Sequence, residues 1–393
     1  MIASTSSAPA AALPDAPAHR PRLLLVGRER FQLPLAPHHE RKFKALDARI
    51  DLRVIGAATA RSASSPDPRF VLARPLALRP LDGLVFYLLL PVRVARELRA
   101  YRPDAVLVQG VHEAIACLVG RAVAGSQARV ILDVHGDWRG ATRLYGSRLR
   151  GLLNPLNDWM GRLAVRRADA VRTVTPYTSG LVRALGVEPA ATFPAYVDLE
   201  AFAVRPALRL PEHPQALFVG ALERSKNVDG LVVAWRKAAA RLPGAKLRVV
   251  GKGRLAPLVE GLVRDLPDQA EWTRELSTDG VAHALDDATV LVLPSRTEGM
   301  GRVVVEAFWR GRGVIGSRVG GIADLVQDGV NGLLIEPGDV DALADALVKV
   351  LSDSALAGAL SAGAQASSLG WLQSPELFAE SVYSLVAGVA PAA

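Results

Sequence analysis

Compact apolar runs alternate with amphipathic stretches along the chain. In the first half, RLLLVG (22–27), DLRVIG (51–56), DAVLVQG (104–110), ARVILDVHG (128–136) and DAVRTVTP (169–176) predict strands, with helical segments between several of them. The segment VRPALRLPEHP (204–214) packs three prolines without apolar periodicity and reads as a linker. The pattern then restarts with ALFVG (216–220), KLRVVG (246–251), TVLVLPS (289–295), GVIGS (313–317) and GLLI (332–335). Strands that alternate with helices predict parallel sheets, hence an α/β protein of two doubly wound domains, 21–205 and 206–372, with a cleft between them. A last stretch, SPELFAESVYSLVAG (374–388), carries Leu377, Phe378, Val382, Leu385 and Val386 at helical spacing, a stripe for packing.

Length agrees with this division, since 393 residues exceed one ordinary core. Half the residues are hydrophobic and 22% are charged, the balance of a soluble globular protein. The single cysteine, Cys117, leaves no intrachain disulfide framework and suits a reducing compartment; within AIACLVG it reads as a core residue. Residues 1–20, rich in alanine, proline and serine, read as a disordered tail without the features of a signal peptide. The longest uncharged apolar run, Gly83 to Val92, falls short of the ~20 residues a bilayer crossing needs. A cytoplasmic protein, soluble or peripheral on the inner face of the membrane, is expected.

Charge is uneven: residues 1–205 carry 29 Lys and Arg against 17 Asp and Glu, whereas 206–393 carry 18 against 22. The front half is therefore basic, which fits a solvated surface, an anionic acceptor or an anionic membrane. Its arginines are scattered without interleaved aromatics, which argues against nucleic acid. The segment LDGLVFYLLLPVRVARELR (81–99) is expected as a core helix, with a membrane-surface helix as the alternative.

Ligands of open α/β sheets bind beyond the carboxyl ends of the strands. In PSRTEGMGRVVVEAFWRGRGVIGS (294–317), Pro294 stops a strand and a helix follows the glycines. That puts Glu298 in the loop and Glu306 inside the helix. The intervening amides of Gly299, Met300 and Gly301 are helix-start donors, which favour an anion. A carboxylate at each end and an anion site between them suit a nucleotide sugar: sugar, diphosphate, ribose, base. Other candidates are weaker by themselves. His135 and Asp137 of DVHGD follow a strand, where a histidine can close the strand end and an aspartate can cap a helix. His38 and His39 look metal-like, but no carboxylate or cysteine cluster accompanies them, so no metal is expected.

The second half resembles, almost end to end, the retaining glycosyltransferases of family four, which have the GT-B fold of two facing Rossmann-like domains. The stretches that carry the resemblance are FVGALERSKNVDGLVVAW, LRVVGKGR, the long VLVLPSRTEGMGRVVVEAFWRGRGVIGSRVGGIADLVQDGVNGLLIEPGDVDALADAL, and GWLQSPELFAESVYSLV. In the first half YRPDAVLVQG, DVHGD, RRADAVRTVTPYTSGLVRALGV and YVDLEAF are similar to the family's landmarks. The resemblance implies that Glu306 bonds the donor ribose, Glu298 faces the transferred sugar, Lys226 binds the diphosphate, and His135 lies near the reacting sugar. It also implies that residues 373–389 form a helix returning to the first domain. The arginine that the family carries after Gly220 is replaced by Ala221; either Arg224 or Arg254 supplies that cation, or Lys226 and backbone amides serve without it. The glycine-rich loop after the first strand is altered as well, leaving Gly27 beside Arg28.

The implied activity is hexosyl transfer from a nucleoside diphosphate sugar to an acceptor hydroxyl of a lipid, cell-envelope glycan or small metabolite. Neither metal nor other cofactor is expected. The alternatives are a catalytically inactive sugar-nucleotide-binding subunit and a non-hydrolysing sugar-nucleotide epimerase.

Overall fold

The computed structural model describes residues 19–59, 62, 67–75, 79–145, 154–203, 209–371 and 374–389. Most of the expected tail and residues 204–208 of the expected linker lie outside them. The first sheet holds β1 (Arg22–Phe31), β2 (Asp51–Ala58), β3 (Phe70–Ala73), β4 (Ala105–Gln109), β5 (Arg129–Val134), β6 (Ala170–Thr173) and β7 (Ala191–Thr192). Their spatial order is β3-β2-β1-β4-β5-β6-β7, all parallel. The second sheet holds β8 (Gln215–Val219), β9 (Lys246–Val250), β10 (Ala270–Thr273), β11 (Val290–Leu293), β12 (Gly313–Ser317) and β13 (Gly332–Ile335) in the order β10-β9-β8-β11-β12-β13, also all parallel.

Strand order reverses between β1 and β4 and between β8 and β11, and each reversal opens a crevice at the carboxyl end of its sheet. Both faces of each sheet are covered, so the central strands are apolar on both sides. Leu24 and Val26 point into one cluster with Phe86, Leu90 and Val94. Leu23, one residue away on the opposite face, packs with Phe43, Leu46 and the closing helix Pro375–Val389 through Phe378, Val382 and Leu385. That helix therefore lies on the first sheet although its sequence follows the second. In the other direction Val197, Leu199 and Phe202 run across into the core of the second sheet, beside Val304, Val305 and Phe308. Each half thus donates apolar side chains to the other, and the two crevices face one another.

Helix Arg79–Ala100 contains the longest apolar run. One face is core: Phe86, Leu90, Val94 and Leu98 are buried. The other leaves Leu84, Leu88 and Val92 exposed at 56%, 66% and 67%, one turn apart, beside exposed Arg96 and Arg99. Val119 and Val123 of the packed neighbour Val111–Ala124 extend the exposed apolar surface. Among the described residues no helix is long and apolar enough to cross a membrane.

Candidate active site

The site grows from two loops beyond β8 and β11. After β8, Gly220 leads into the 3-10 turn Arg224–Lys226, which Asn227 ends in the left-handed conformation, φ 55°. Helix Val228–Ala239 follows. After β11, the loop through Glu298 leads into helix Arg302–Trp309, whose buried Val304, Val305, Ala307 and Phe308 fix it against the core. Arg296 ties the loops together: its backbone N–H donates to the Ser225 carbonyl at 2.8 Å, and its guanidinium grips Asp229 through two bonds of 2.8 and 2.9 Å. This brace sets Lys226 against Glu298, and the two form an ion pair with both side chains largely buried. The pair spans 72 positions of sequence.

Close backbone packing shapes the Glu298 turn. Gly320 is left-handed at φ +52°, and a side chain there would occupy the Glu298 carbonyl. Gly301 begins the helix at φ 78°. Among the described residues the amides of Gly299, Met300 and Gly301 make no hydrogen bond, which leaves donors at the positive end of the helix. Met300 itself is buried. Glu306, the fifth residue of that helix, sits half-buried, and burial pushes its carboxyl up to about 6, with Arg302 pulling the other way.

Arg224 and Arg254 both have exposed side chains. The GKGR turn lies against the loop after β8, since Leu222 N–H donates to the Lys252 carbonyl at 3.0 Å and Leu255 N–H to the Leu222 carbonyl at 2.9 Å. The Arg254 backbone N–H donates to Glu223 at 3.3 Å. Both arginines therefore belong to the neighbourhood of Lys226.

The facing sheet contributes His135, just beyond β5. Its Nε2 bonds Asp133 at 2.8 Å. Asp133 also accepts two bonds of 2.7 Å from Arg172 Nη1, and Arg172 Nη2 donates to the carbonyls of Phe193 and Pro194, 2.8 Å each. Burial opposes the charge on Asp133, but Arg172 and His135 outweigh it and hold the carboxyl down at about 2. The imidazole is thus oriented by a permanent carboxylate. Asp137 accepts from the Arg139 backbone N–H at 2.9 Å and pairs with its side chain, the local capping reading of that residue. His39 lies 3.5 Å from Glu29, and its ring centroid is 4.1 Å from that of His38.

The two halves meet at this point. Gly299 lies against the carbonyl of His135, and the Thr175 hydroxyl donates to the Gly299 carbonyl at 3.3 Å. Tyr177 N–H donates to Asp324 at 2.9 Å. A Cβ on Gly299 would fall on the His135 carbonyl oxygen. Gly299→Ala is accordingly expected to wedge the loops apart and cut turnover about 10- to 100-fold. Steady-state nucleotide release checks it, and an unchanged rate would mean that this contact does not form during turnover.

Asp133 and Arg172 escape a sequence reading because they are 39 positions apart and each looks like an isolated charge in an apolar strand. A charge placed in the middle of a buried run is nonetheless a signal that a partner exists.

Comparison with known proteins bears on the same elements. Residues 213–353 match the family described as "Glycosyl transferases group 1", and residues 35–195 match a "Glycosyl transferase 4-like domain". A GDP-mannose-dependent alpha-(1-6)-phosphatidylinositol monomannoside mannosyltransferase of Mycobacterium tuberculosis is 32% identical over 276 residues, which cover 64% of this chain and 68% of the relative. A sucrose-phosphate synthase from Thermosynechococcus elongatus superposes with a TM-score of 0.75 at 21% identity, covering 94% of this chain and 100% of that one. Anabaena HepE, solved in complex with UDP-glucose, gives 0.70 at 15% identity, with 94% and 100% covered. Both structural likenesses identify the fold as GT-B.

Proposed function

The chain belongs to the group 1 glycosyltransferases, and from that premise we propose that it moves a hexosyl group from a nucleoside diphosphate sugar to an acceptor hydroxyl with retention at the anomeric carbon. The observation that carries this reading is the convergence of Lys226, Glu298 and Glu306 on one loop–helix junction, with His135 of the facing sheet against it.

Each group has a task that its position suits. The Glu306 carboxylate accepts from the ribose hydroxyls. The amides of Gly299, Met300 and Gly301, Lys226, and the nearby Arg224 and Arg254 receive the diphosphate. As the bond from the anomeric carbon to the phosphate oxygen breaks, negative charge collects on that oxygen, and Lys226 stabilises it without a metal. The acceptor oxygen bonds the anomeric carbon from the same face and passes its proton to the departing phosphate. Glu298 faces the sugar and keeps the Lys226 ammonium at the junction, while His135 orients sugar or acceptor hydroxyls. Closure of the cleft excludes water.

The M. tuberculosis relative is named for GDP-mannose and a phosphatidylinositol mannoside, and HepE was solved with UDP-glucose. The testing series therefore spans UDP-, GDP- and ADP-sugars, with and without membrane lipid extract. Release from one donor is expected, raised by extract, unchanged by EDTA, lowered about 100-fold at sub-saturating donor by Glu306→Gln, and giving a product with the donor's anomeric configuration by NMR. Donor binding without release under every condition would instead favour an inactive binding subunit.

Contact with an anionic membrane rests on the exposed row Leu84, Leu88 and Val92 beside Arg96 and Arg99. Co-sedimentation with phosphatidylglycerol vesicles is the second readout of the same experiment. The double variant Leu88→Ser/Val92→Ser should lose it, and undiminished sedimentation would remove this face from the reading.

A further inference from the structure

Between the two sheets lies a chamber of about 450 Å³, whose walls include Glu29 at the irregular stretch of β1 between Val26 and Arg30, Lys42 of helix Pro37–Arg49, Asp133, His135, Arg172, and Arg302 at the start of helix Arg302–Trp309. Its volume suits a phosphorylated sugar or polyol. Most of the charge on the walls is already paired. Asp133 is taken by Arg172 and His135, and Glu29 lies near His39.

Two cations remain. Lys42 Nζ stands 5.5 Å from the Phe43 ring centroid and 5.6 Å from that of Phe378, and among the described residues it forms no hydrogen bond or ion pair. Arg302, an exposed residue of the chamber wall, likewise forms none among them. Burial lowers the Lys42 pKa; Glu29 and Asp133 oppose that, while Arg172 and Arg302 add to it. Glu29 acts on both cations, Asp133 on Lys42 and Glu306 on Arg302, yet neither cation is held in a hydrogen bond or ion pair among the described residues, so the chamber presents two cations from different halves of the molecule in partly desolvated surroundings. An entering anion would be bound more strongly there than on an open surface.

We propose that Lys42 and Arg302 together bind a phosphate group carried by the acceptor, so that the acceptor is a phosphorylated polyol or sugar, either soluble or as a lipid headgroup. The assignment rests on the glycosyltransferase reading above and adds the acceptor class. His135 lines the same chamber and abuts Gly299, so an acceptor anchored by its phosphate at Lys42 presents its hydroxyls toward the junction where the donor sugar sits.

Direct binding separates this proposal from the transfer reaction. Inorganic phosphate and glycerol 3-phosphate are titrated calorimetrically into the full chain carrying Lys226→Ala, which disables the donor's diphosphate contact. Binding is expected to persist there, to weaken about 10- to 100-fold on adding Lys42→Met or Arg302→Gln, and to return with Lys42→Arg. Thermal melts identify a variant that has merely lost its fold. Phosphate binding abolished by Lys226→Ala alone, or indifferent to Lys42 and Arg302, overturns the proposal. Nucleotide release is then compared between soluble polyol phosphates and their unphosphorylated counterparts, and between phosphatidylinositol and phosphatidylcholine vesicles. Stimulation by the soluble phosphates or by phosphatidylinositol names the source, and stimulation by the unphosphorylated polyols alone overturns the acceptor class. Loss of transfer with phosphate binding intact would count against the donor reading and not against this site.

Discussion

Lys226→Ala is expected to lower turnover by about 10²- to 10³-fold. This is the loss seen when one preorganised donor to a developing oxyanion is removed. The ammonium is preorganised here in a specific way. The 3-10 turn Arg224–Lys226 cannot drift, because Arg296 grips Asp229 on one side and binds the Ser225 and Arg224 carbonyls on the other. Glu298 then holds the ammonium in place at the loop. A simple structural ion pair would predict something else: Lys226→Ala and Glu298→Gln would each cost little, would not add, and would leave nucleoside diphosphate binding intact. The leaving-group assignment predicts that Lys226→Ala also weakens product nucleoside diphosphate about 10- to 100-fold, since charge-assisted bonds to phosphate are lost. Lys226→Arg keeps the charge but replaces a compact ammonium with a planar fork, so only partial recovery is expected. Turnover unchanged by Lys226→Ala would end the assignment.

What the sequence made visible follows from where each signal is stored. Central strands flanked on both sides must be apolar on both faces, so runs such as TVLVLPS and ARVILDVHG stand out without help. Three strands leave no such trace. β3, β7 and β10 lie at sheet edges, where one flank has no neighbour, and they are short: β7 is two residues and β10, AEWT, exposes Glu271. The loop residues Glu298, Gly299, Met300 and Gly301 were readable because the strand, the stop and the helix start are contiguous. Pairings across the fold were not. Lys226 with Glu298, Arg172 with Asp133, and Lys42 and Arg302 on the wall of one chamber are each distant in sequence, and topology alone brings them together. The long segment around 81–99 illustrates a divided outcome: its apolar residues serve a core on one face and remain exposed on the other, a split that composition cannot report.

Glu306 should make the molecule less stable in return for donor recognition. Its carboxyl, raised by burial from 4.5 to about 6, binds its proton more tightly in the folded chain than in the unfolded one. The stability it contributes is therefore complete below pH 4.5 and is lost as pH rises through 6. Above that range the folded state carries a half-buried charge without a bonded partner among the described residues. The difference corresponds to about 2 kcal/mol, reduced to roughly 1–2 kcal/mol because part of the side chain still meets solvent. Glu306→Gln removes the penalty, so at pH 7.5 its thermal midpoint should lie above that of the parent, with the gap closing toward pH 4.5. Donor binding should move the opposite way. An amide presents one acceptor oxygen where the carboxylate presents two, and the charge is gone, so affinity for the donor should fall about 100-fold. In the parent, affinity should rise with pH through about 6, because only the ionised carboxyl accepts from both ribose hydroxyls. Melts and donor titrations across pH 4.5 to 8 test the two halves independently. A variant no more stable than its parent at pH 7.5 refutes the burial argument, and donor affinity indifferent to the substitution refutes the ribose contact. A gain in stability with a loss of donor binding identifies a carboxylate that the fold holds at a cost because the nucleotide needs it.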